Sequence, residues 1–309
     1  MVRSNPRRRV AGAIVALPAS TEERQPRAGE VDRPFVADLP RDHARLWAVG
    51  DSADGSGRAR RLARAIPDAR ELDAFLYLGD VYSDGSARDF LRNYEPLYGR
   101  LKEVTAPTPG NHEWANRAVG YVPYWSRVRG LPAPAWYAFR AGGWLVLSLN
   151  SEAPCQPGSA QHDWLSERLR TCDEPCLAFW HRPRFSAGKH GDNPDVAPLW
   201  DAVRRRAALV LSAHDHNLQR LKPIEGTVQI VAGAGGRSRY ELTRSWRRFL
   251  PWPRPRPLAR ARRTFEDPRL AFGNDTDDGV LRLDLRPGRI DLAFVAPDGR
   301  VLDEASVTG

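Results

Sequence analysis

Five short polar motifs punctuate this chain, and each stands where an apolar, β-branched or aromatic run stops: Gly50-Asp51, Gly79-Asp80, Gly110-Asn111-His112-Glu113, Trp180-His181 and His214-Asp215-His216. A short, unbroken apolar run of this kind is the mark of a buried strand. Buried strands that deliver polar side chains at their carboxyl ends are how α/β proteins build sites. The motifs therefore constrain the fold and locate its chemistry together.

The intervening sequence fits. Ala44 to Val49 and Ala74 to Leu78 read as strands, and Arg58 to Ile66 and Ser86 to Leu101 carry helical spacing, which makes a βαβ start. Val104 to Pro107 leads into the third motif, and Trp136 to Asn150 reads as two strands turning at Gly142-Gly143. Gln161 to Arg170 is a helix with Trp164, Leu165 and Leu169 on one face. Cys176 to Trp180 is a strand, Val196 to Arg206 a helix and Ala207 to Ser212 a strand. From Thr227 the pattern changes. Thr227 to Ala232 is a strand before the glycine turn Gly233 to Gly236, and Val280 to Leu285, Ile290 to Val295 and Val301-Leu302 alternate as antiparallel strands do. A parallel half followed by an antiparallel half predicts one domain, residues 43–309, with two packed sheets flanked by helices.

Composition narrows the partners. The net charge of +9 comes almost entirely from arginine, since Lys102, Lys189 and Lys222 are the only lysines. Most of these arginines are interleaved with Asp and Glu, so no specific nucleic-acid surface is expected. Two stretches are denser. Arg7-Arg8-Arg9 precedes Val10 to Leu17 and Pro18-Ala19-Ser20, the layout of a short, weak export signal within a flexible tail spanning residues 1–42. Residues 244–263 combine arginines, prolines, Trp246 and Trp252, and read as a lid or a plain insertion. No run reaches the ~20 apolar residues of a transmembrane helix. Cys155, Cys172 and Cys176 allow at most one bridge, from Cys155 to Cys176 or Cys172 in an exported chain, and three reduced thiols in a cytoplasmic one.

The motifs supply carboxylate, amide and imidazole. Two metal ions ~3.5–4 Å apart can clamp the attacking and leaving oxygens of a phosphoryl group, given a bridging carboxylate and terminal ligands on both sides. Asp80 is the candidate bridge and Asn111 offers a neutral oxygen, while His181, His214 and His216 offer nitrogens that suit Zn, Fe or Mn. His214 and His216, two apart, would point to one side of an extended strand. His112 follows a ligand and is free to donate a proton to a leaving group. Taken singly, Asp51 could cap a helix, Asp80 could serve a turn and His181 could be a core histidine; five motifs in order favour a site.

In this order, from about Arg45 to the carboxyl terminus, the motifs resemble those of the calcineurin-like metallophosphoesterases. The purple-acid-phosphatase-like branch is most similar: Ala53 replaces the His usual two places after the first Asp, a Tyr follows the second Asp, and Trp180-His181-Arg182-Pro183-Arg184-Phe185 and Gly233 to Gly236 match. The resemblance implies an α/β/β/α sandwich of two mixed sheets. It implies Asp51, Asp80, His216 and Tyr82 around one metal, and Asp80, Asn111, His181 and His214 around the other. Tyr82 follows Asp80 by two residues where the purple enzymes have three, so a loop must absorb the difference. His190, nine residues beyond His181, has the spacing of a substrate-pocket histidine in these relatives, alongside Asn111 and His112. Glu113 would support His112 or its neighbours by hydrogen bonds, and Asp215 would face away without a role. The implied reaction is attack on phosphorus by a hydroxide that the two metals make available, with His112 as acid, on a small phosphomonoester. Alternatives are a phosphodiesterase acting on nucleotides or lipid head groups, and a binding protein that keeps the fold without turnover.

Overall fold

Strand β1 (Ala44–Val49) is buried at every position except Arg45, as a strand covered on both faces must be. It pairs in parallel with β2 (Ala74–Tyr77), placing Leu46 opposite Ala74, and β2 pairs in parallel with β3 (Thr105–Pro107). Its other edge takes β11 (Val280–Arg286) antiparallel, followed by β12 (Arg289–Val295) and β13 (Val301–Thr308). The computed structural model describes residues 34–243 and 267–309, so the expected export signal and the 244–263 insertion lie outside the described residues.

The second sheet runs in the order β10 (Leu270–Asn274), β8 (Leu218–Leu221), β9 (Val228–Ala232), β7 (Ala207–Ser212), β6 (Cys176–Phe179), β5 (Trp144–Ser148) and β4 (Tyr137–Ala141). Its inner strands β5, β6, β7 and β9 are parallel. Alternation along them sorts the core. Val146, Leu177, Phe179, Leu209 and Leu211 join the apolar cluster that holds Leu46, Ala48, Leu281 and Leu283 of the first sheet. Leu147, Ala178, Trp180 and Val210 join Leu165 and Leu169 of α6 (Ala160–Arg170) and Leu199, Trp200 and Val203 of α7 (Ala197–Val203). A strand whose side chains alternate between two such clusters is covered on both faces.

The first sheet is covered by α1 (Gly57–Ala65), which buries Ala59, Leu62 and Ala63 and is capped by the Ser56 hydroxyl accepting from the Ala59 N–H. A longer helical run continues the cover. It begins as α2 (Ala87–Asp89), widens into a π turn (Phe90–Tyr94), resumes as α3 (Glu95–Tyr98) and tightens at Gly99–Val104. Tyr77 meets Tyr94 edge-on at 5.0 Å, and Phe90 stacks on Tyr124 at 4.6 Å. The result is the four-layer α/β/β/α sandwich of two mixed sheets.

Several elements depart from expectation. Helix α5 (Tyr121–Arg129) was hidden by Pro123 and a mixed face, and it ends at Gly130, whose φ of 69° suits glycine. Strand β8 reads Leu-Gln-Arg-Leu, and β10 is a half-exposed edge strand containing Gly273. The three cysteines are free thiols, so the bridge from Cys155 is not formed. The Cys155 thiol points at the Asp195 carbonyl (3.3 Å), whereas those of Cys172 and Cys176 both face Glu174. Burial pushes the Cys176 thiol up to about 12. No described helix is long and apolar enough to cross a membrane.

Candidate metal centre

Each motif residue leaves the carboxyl end of a parallel strand. Asp51 follows β1, Asp80 follows β2, Asn111 opens the short helix α4 (Asn111–Trp114) after β3, His181 follows β6 and His214 follows β7. Asp51, Asp80 and His214 have φ of 54°, 67° and 67°. Non-glycine residues enter this left-handed region at a cost of ~1–3 kcal/mol, and such strain persists where neighbours over-determine it. They do so here. The Asp80 N–H donates to Glu113 Oε2 (3.0 Å), Asp80 Oδ1 accepts the His112 N–H (3.1 Å) and Asp51 Oδ2 accepts the His214 N–H (2.7 Å). A Cβ at Gly110 would run into the Asp80 carboxylate, so this position requires glycine.

The side chains form two adjoining sets. In one, ligand atoms of Asp80, His181 and His214 lie within 4.8 Å of one another. His181 Nε2 stands 3.4 Å from Asp80 Oδ2, 3.2 Å from Asn111 Oδ1 and 3.2 Å from His214 Nδ1. In the other, the Tyr82 hydroxyl donates to Asp51 Oδ1 (2.8 Å) and lies 3.2 Å from Asp80 Oδ2 and 3.1 Å from His216 Nε2. Asp80 Oδ2 is common to both sets.

Backbone carbonyls fix the tautomers. His181 Nδ1 pairs with the Leu78 carbonyl (2.8 Å) and His216 Nδ1 with the Ser238 carbonyl (2.6 Å), which turns both Nε2 lone pairs toward the cluster. Around His181 Nε2 the Asn111 oxygen, the His214 nitrogen and the Asp80 carboxylate then all converge as acceptors. Acceptors crowded together in a buried site call for a cation between them, and this mixed N and O set suits a transition metal.

Charge in the bare cluster tells the same story. Burial alone would lower His181, but the Asp80 carboxylate beside it outweighs burial and lifts its pKa to about 10. Burial and the neighbouring His181 push His214 down to about 2. Burial would raise Asp80, yet His181 holds it well below the ordinary carboxylate range. Burial, reinforced by Asp80, pushes the Glu113 carboxyl well up.

Tyr82 reaches the cluster, so the loop absorbs the missing residue, and its ring does not join the Tyr77–Tyr94 pair. Ala53 is buried and forms a lone parallel bridge with Val81, so it offers no ligand. His112 lies at the rim with its Nδ1 on the Ser83 carbonyl, its Nε2 3.7 Å from Asp80 Oδ2 and 35% of its side chain exposed. Glu113 spends its hydrogen bonds on Asp80 and Gly110, both through Oε2. His214 and His216 do not share an extended strand. They occupy a bend, and the turn at His214 sends them to different sets.

His190 stacks on His214 at 4.2 Å, and its Nδ1 lies 3.0 Å from Asp215 Oδ1. Asp215, read as facing away, is fully buried and also accepts the Ser186 hydroxyl and the His190 N–H. An acidic residue between two ligand histidines was the available signal. Tyr240, stacked on His216 at 4.0 Å, and Arg237, over the Tyr82 ring at 4.4 Å, carried none.

The chain is 24% identical over 202 residues to probable purple acid phosphatase 20 of Arabidopsis thaliana, covering 54% of this chain and 46% of that protein. It is 21% identical over 249 residues to probable inactive purple acid phosphatase 1 of the same plant, covering 59% and 39%. The chain thus spans less than half the length of these curated relatives. In fold it is similar to purple acid phosphatase PPD1 of yellow lupin (TM-score 0.62, 15% identity, 89% of this chain and 55% of that one). It is equally similar to GAP50, the anchor in the inner membrane complex of Plasmodium (0.62, 14%, 86% and 89%). A dimetal phosphatase of Danio rerio follows (0.53, 12%, 89% and 99%). The family profile of calcineurin-like phosphoesterases matches residues 44–218, from β1 through His216, and on that match the chain belongs to the calcineurin-like phosphoesterase family.

Proposed function

We propose that this chain is a metal-dependent hydrolase of phosphate monoesters. The observation that carries the reading is His112, poised at the edge of a two-set ligand cluster yet outside it, with its Nδ1 tied to the Ser83 carbonyl. Asp51, Asp80, His216 and Tyr82 would hold one metal ion, and Asp80, Asn111, His181 and His214 the other. Bound there, the pair would supply a lowered pKa for water and neutralise charge on the phosphoryl oxygens.

The rest belongs to the chain. Because the Ser83 carbonyl occupies Nδ1, the atom of His112 that faces the cluster is Nε2, and a proton held there goes to the departing alkoxide. The same residue's backbone N–H fixes Asp80 Oδ1, so acid and bridge share one rigid turn. Beside His214, Asp215 accepts from His190 Nδ1, so that the imidazolium form presents its Nε2–H to a phosphoryl oxygen.

Hydrolysis of an alkyl phosphate by wild type and His112→Ala tests the reading. The variant should keep its metal and lose ~10²–10⁴ in rate on the alkyl ester. It should lose far less on p-nitrophenyl phosphate, whose leaving group needs no proton. Full rate on the alkyl ester would refute the acid role.

A further inference from the structure

Two cations without a role in the ligand cluster stand on its aromatic walls. Arg237 lays its guanidinium 4.4 Å from the ring centre of Tyr82, whose hydroxyl lies among Asp51, Asp80 and His216. Lys189 places its ammonium 4.3 Å from the ring of Tyr240, which stacks on His216. Each cation is therefore one ring away from the ligands.

Neither is held by a carboxylate at hydrogen-bond distance among the described residues. The carboxylate paired with Arg237 is Asp54, at 3.8 Å, and Lys189 has no ion pair among the described residues. Arg182 differs: Glu152 grips it at both ends, at 2.7 and 2.9 Å. The position of Arg237 is built. Its N–H donates to the Asp51 carbonyl (3.3 Å), and it follows a glycine turn in which a Cβ at Gly235 would collide with the Gly50 backbone. A guanidinium stacked by its face keeps its edge donors free, and 40% of this side chain is exposed.

We propose that Arg237, assisted by Lys189, binds terminal phosphoryl oxygens of the substrate and makes the site select phosphomonoesters over phosphodiesters, an inference that rests on the phosphoesterase reading. A monoester with a second pKa of ~6 carries almost two charges at neutral pH and has three terminal oxygens. A diester has one charge and two such oxygens. Asp51 and Asp80 offset much of the metal charge, so the extra charge of a monoester is met by the rim. The planar fork of arginine can hold two oxygens at once.

The test uses metal-loaded protein and three variants. Arg237→Met keeps an aliphatic stem against Tyr82, Arg237→Lys keeps the charge without the fork, and Lys189→Met removes the second cation. For Arg237→Met, kcat/KM on p-nitrophenyl phosphate should fall by about tenfold or more, chiefly through KM, as for a lost charge-assisted contact. Loss on bis-p-nitrophenyl phosphate should be much smaller. Orthophosphate affinity, read by calorimetry, should fall with the monoester, Arg237→Lys should recover part, and Lys189→Met should shift both in the same direction by less. Equal losses on the two esters, or unchanged orthophosphate affinity in Arg237→Met, would overturn the proposal. If Arg237→Met loses its metal, the lysine variant and Lys189→Met decide by the same ratio. Wild type inactive on both esters would sink the phosphoesterase reading; the orthophosphate comparison would still decide the rim, and a wild type that binds no orthophosphate would refute it.

Discussion

Asp80 serves both ligand sets with one carboxylate: Oδ2 faces His181 at 3.4 Å and the Tyr82 hydroxyl at 3.2 Å, while Oδ1 takes the His112 N–H. Its loss should therefore empty more of the site than the loss of a terminal ligand. Asp80→Asn is expected to retain less metal than His181→Ala, with hydrolysis falling alongside metal in both; full metal retention by Asp80→Asn would contradict a bridge. Tyr82 carries a spectroscopic prediction. Burial and the nearby Asp51 and Asp80 hold its phenol far above the usual range, so it ionises only against a metal. If the chain takes up iron, a visible absorption band should appear and vanish in Tyr82→Phe. Iron without a band would leave Asp51, Asp80 and His216 as that metal's protein ligands. The candidate ligands stood out in the sequence because their types and order repeat a constraint. Tyr240 and Arg237 did not, since each owes its place to an approach made in three dimensions, as when the Tyr240 N–H bonds to the His216 carbonyl (3.1 Å).

Strands β1, β2, β6 and β7 were legible for a physical reason: a strand covered on both faces is apolar at nearly every position. Strand β8 lacks that signature because Gln219 is buried, its amide satisfied by the Ala187 N–H and Ser186, a solution that periodicity cannot reveal. Strand ends also carry the backbone constraint. Gly110→Ala should push the Asp80 carboxylate aside and lower metal content with little change in far-UV dichroism; unchanged metal would mean that the loop yields. Asp278, just ahead of β11, ties α1 and the Arg237 loop together through Arg58 and Arg239. Burial alone would raise its carboxyl, but the two arginines outweigh burial and hold it below the ordinary range. A depressed carboxylate stabilises the fold above its unfolded pKa of ~3.9, and that contribution is lost as pH falls through the lower folded value. Asp278→Asn should lower Tm at pH 7 by ~1.5 °C, the shift of a ~1 kcal/mol change in a chain of this size. The gap should close below about pH 4. A gap that persisted in acid would point to packing instead.

Across the whole molecule, two sheets bring the carboxyl ends of their parallel strands to one place, which is why ligands separated by more than a hundred residues can meet. The fold alone does not decide activity. It is similar both to a dimetal phosphatase and to GAP50, the anchor in the inner membrane complex of Plasmodium. What argues for turnover in this chain is the intact ligand cluster with His112 at its rim. The expected export signal lies outside the described residues. The most direct test is metal content measured with hydrolysis of p-nitrophenyl phosphate on the same purified protein, before and after chelation. About two metal equivalents per chain are expected, with hydrolysis abolished on their removal and restored on their return. Protein that binds no metal, or that hydrolyses the ester equally well without it, would contradict the account.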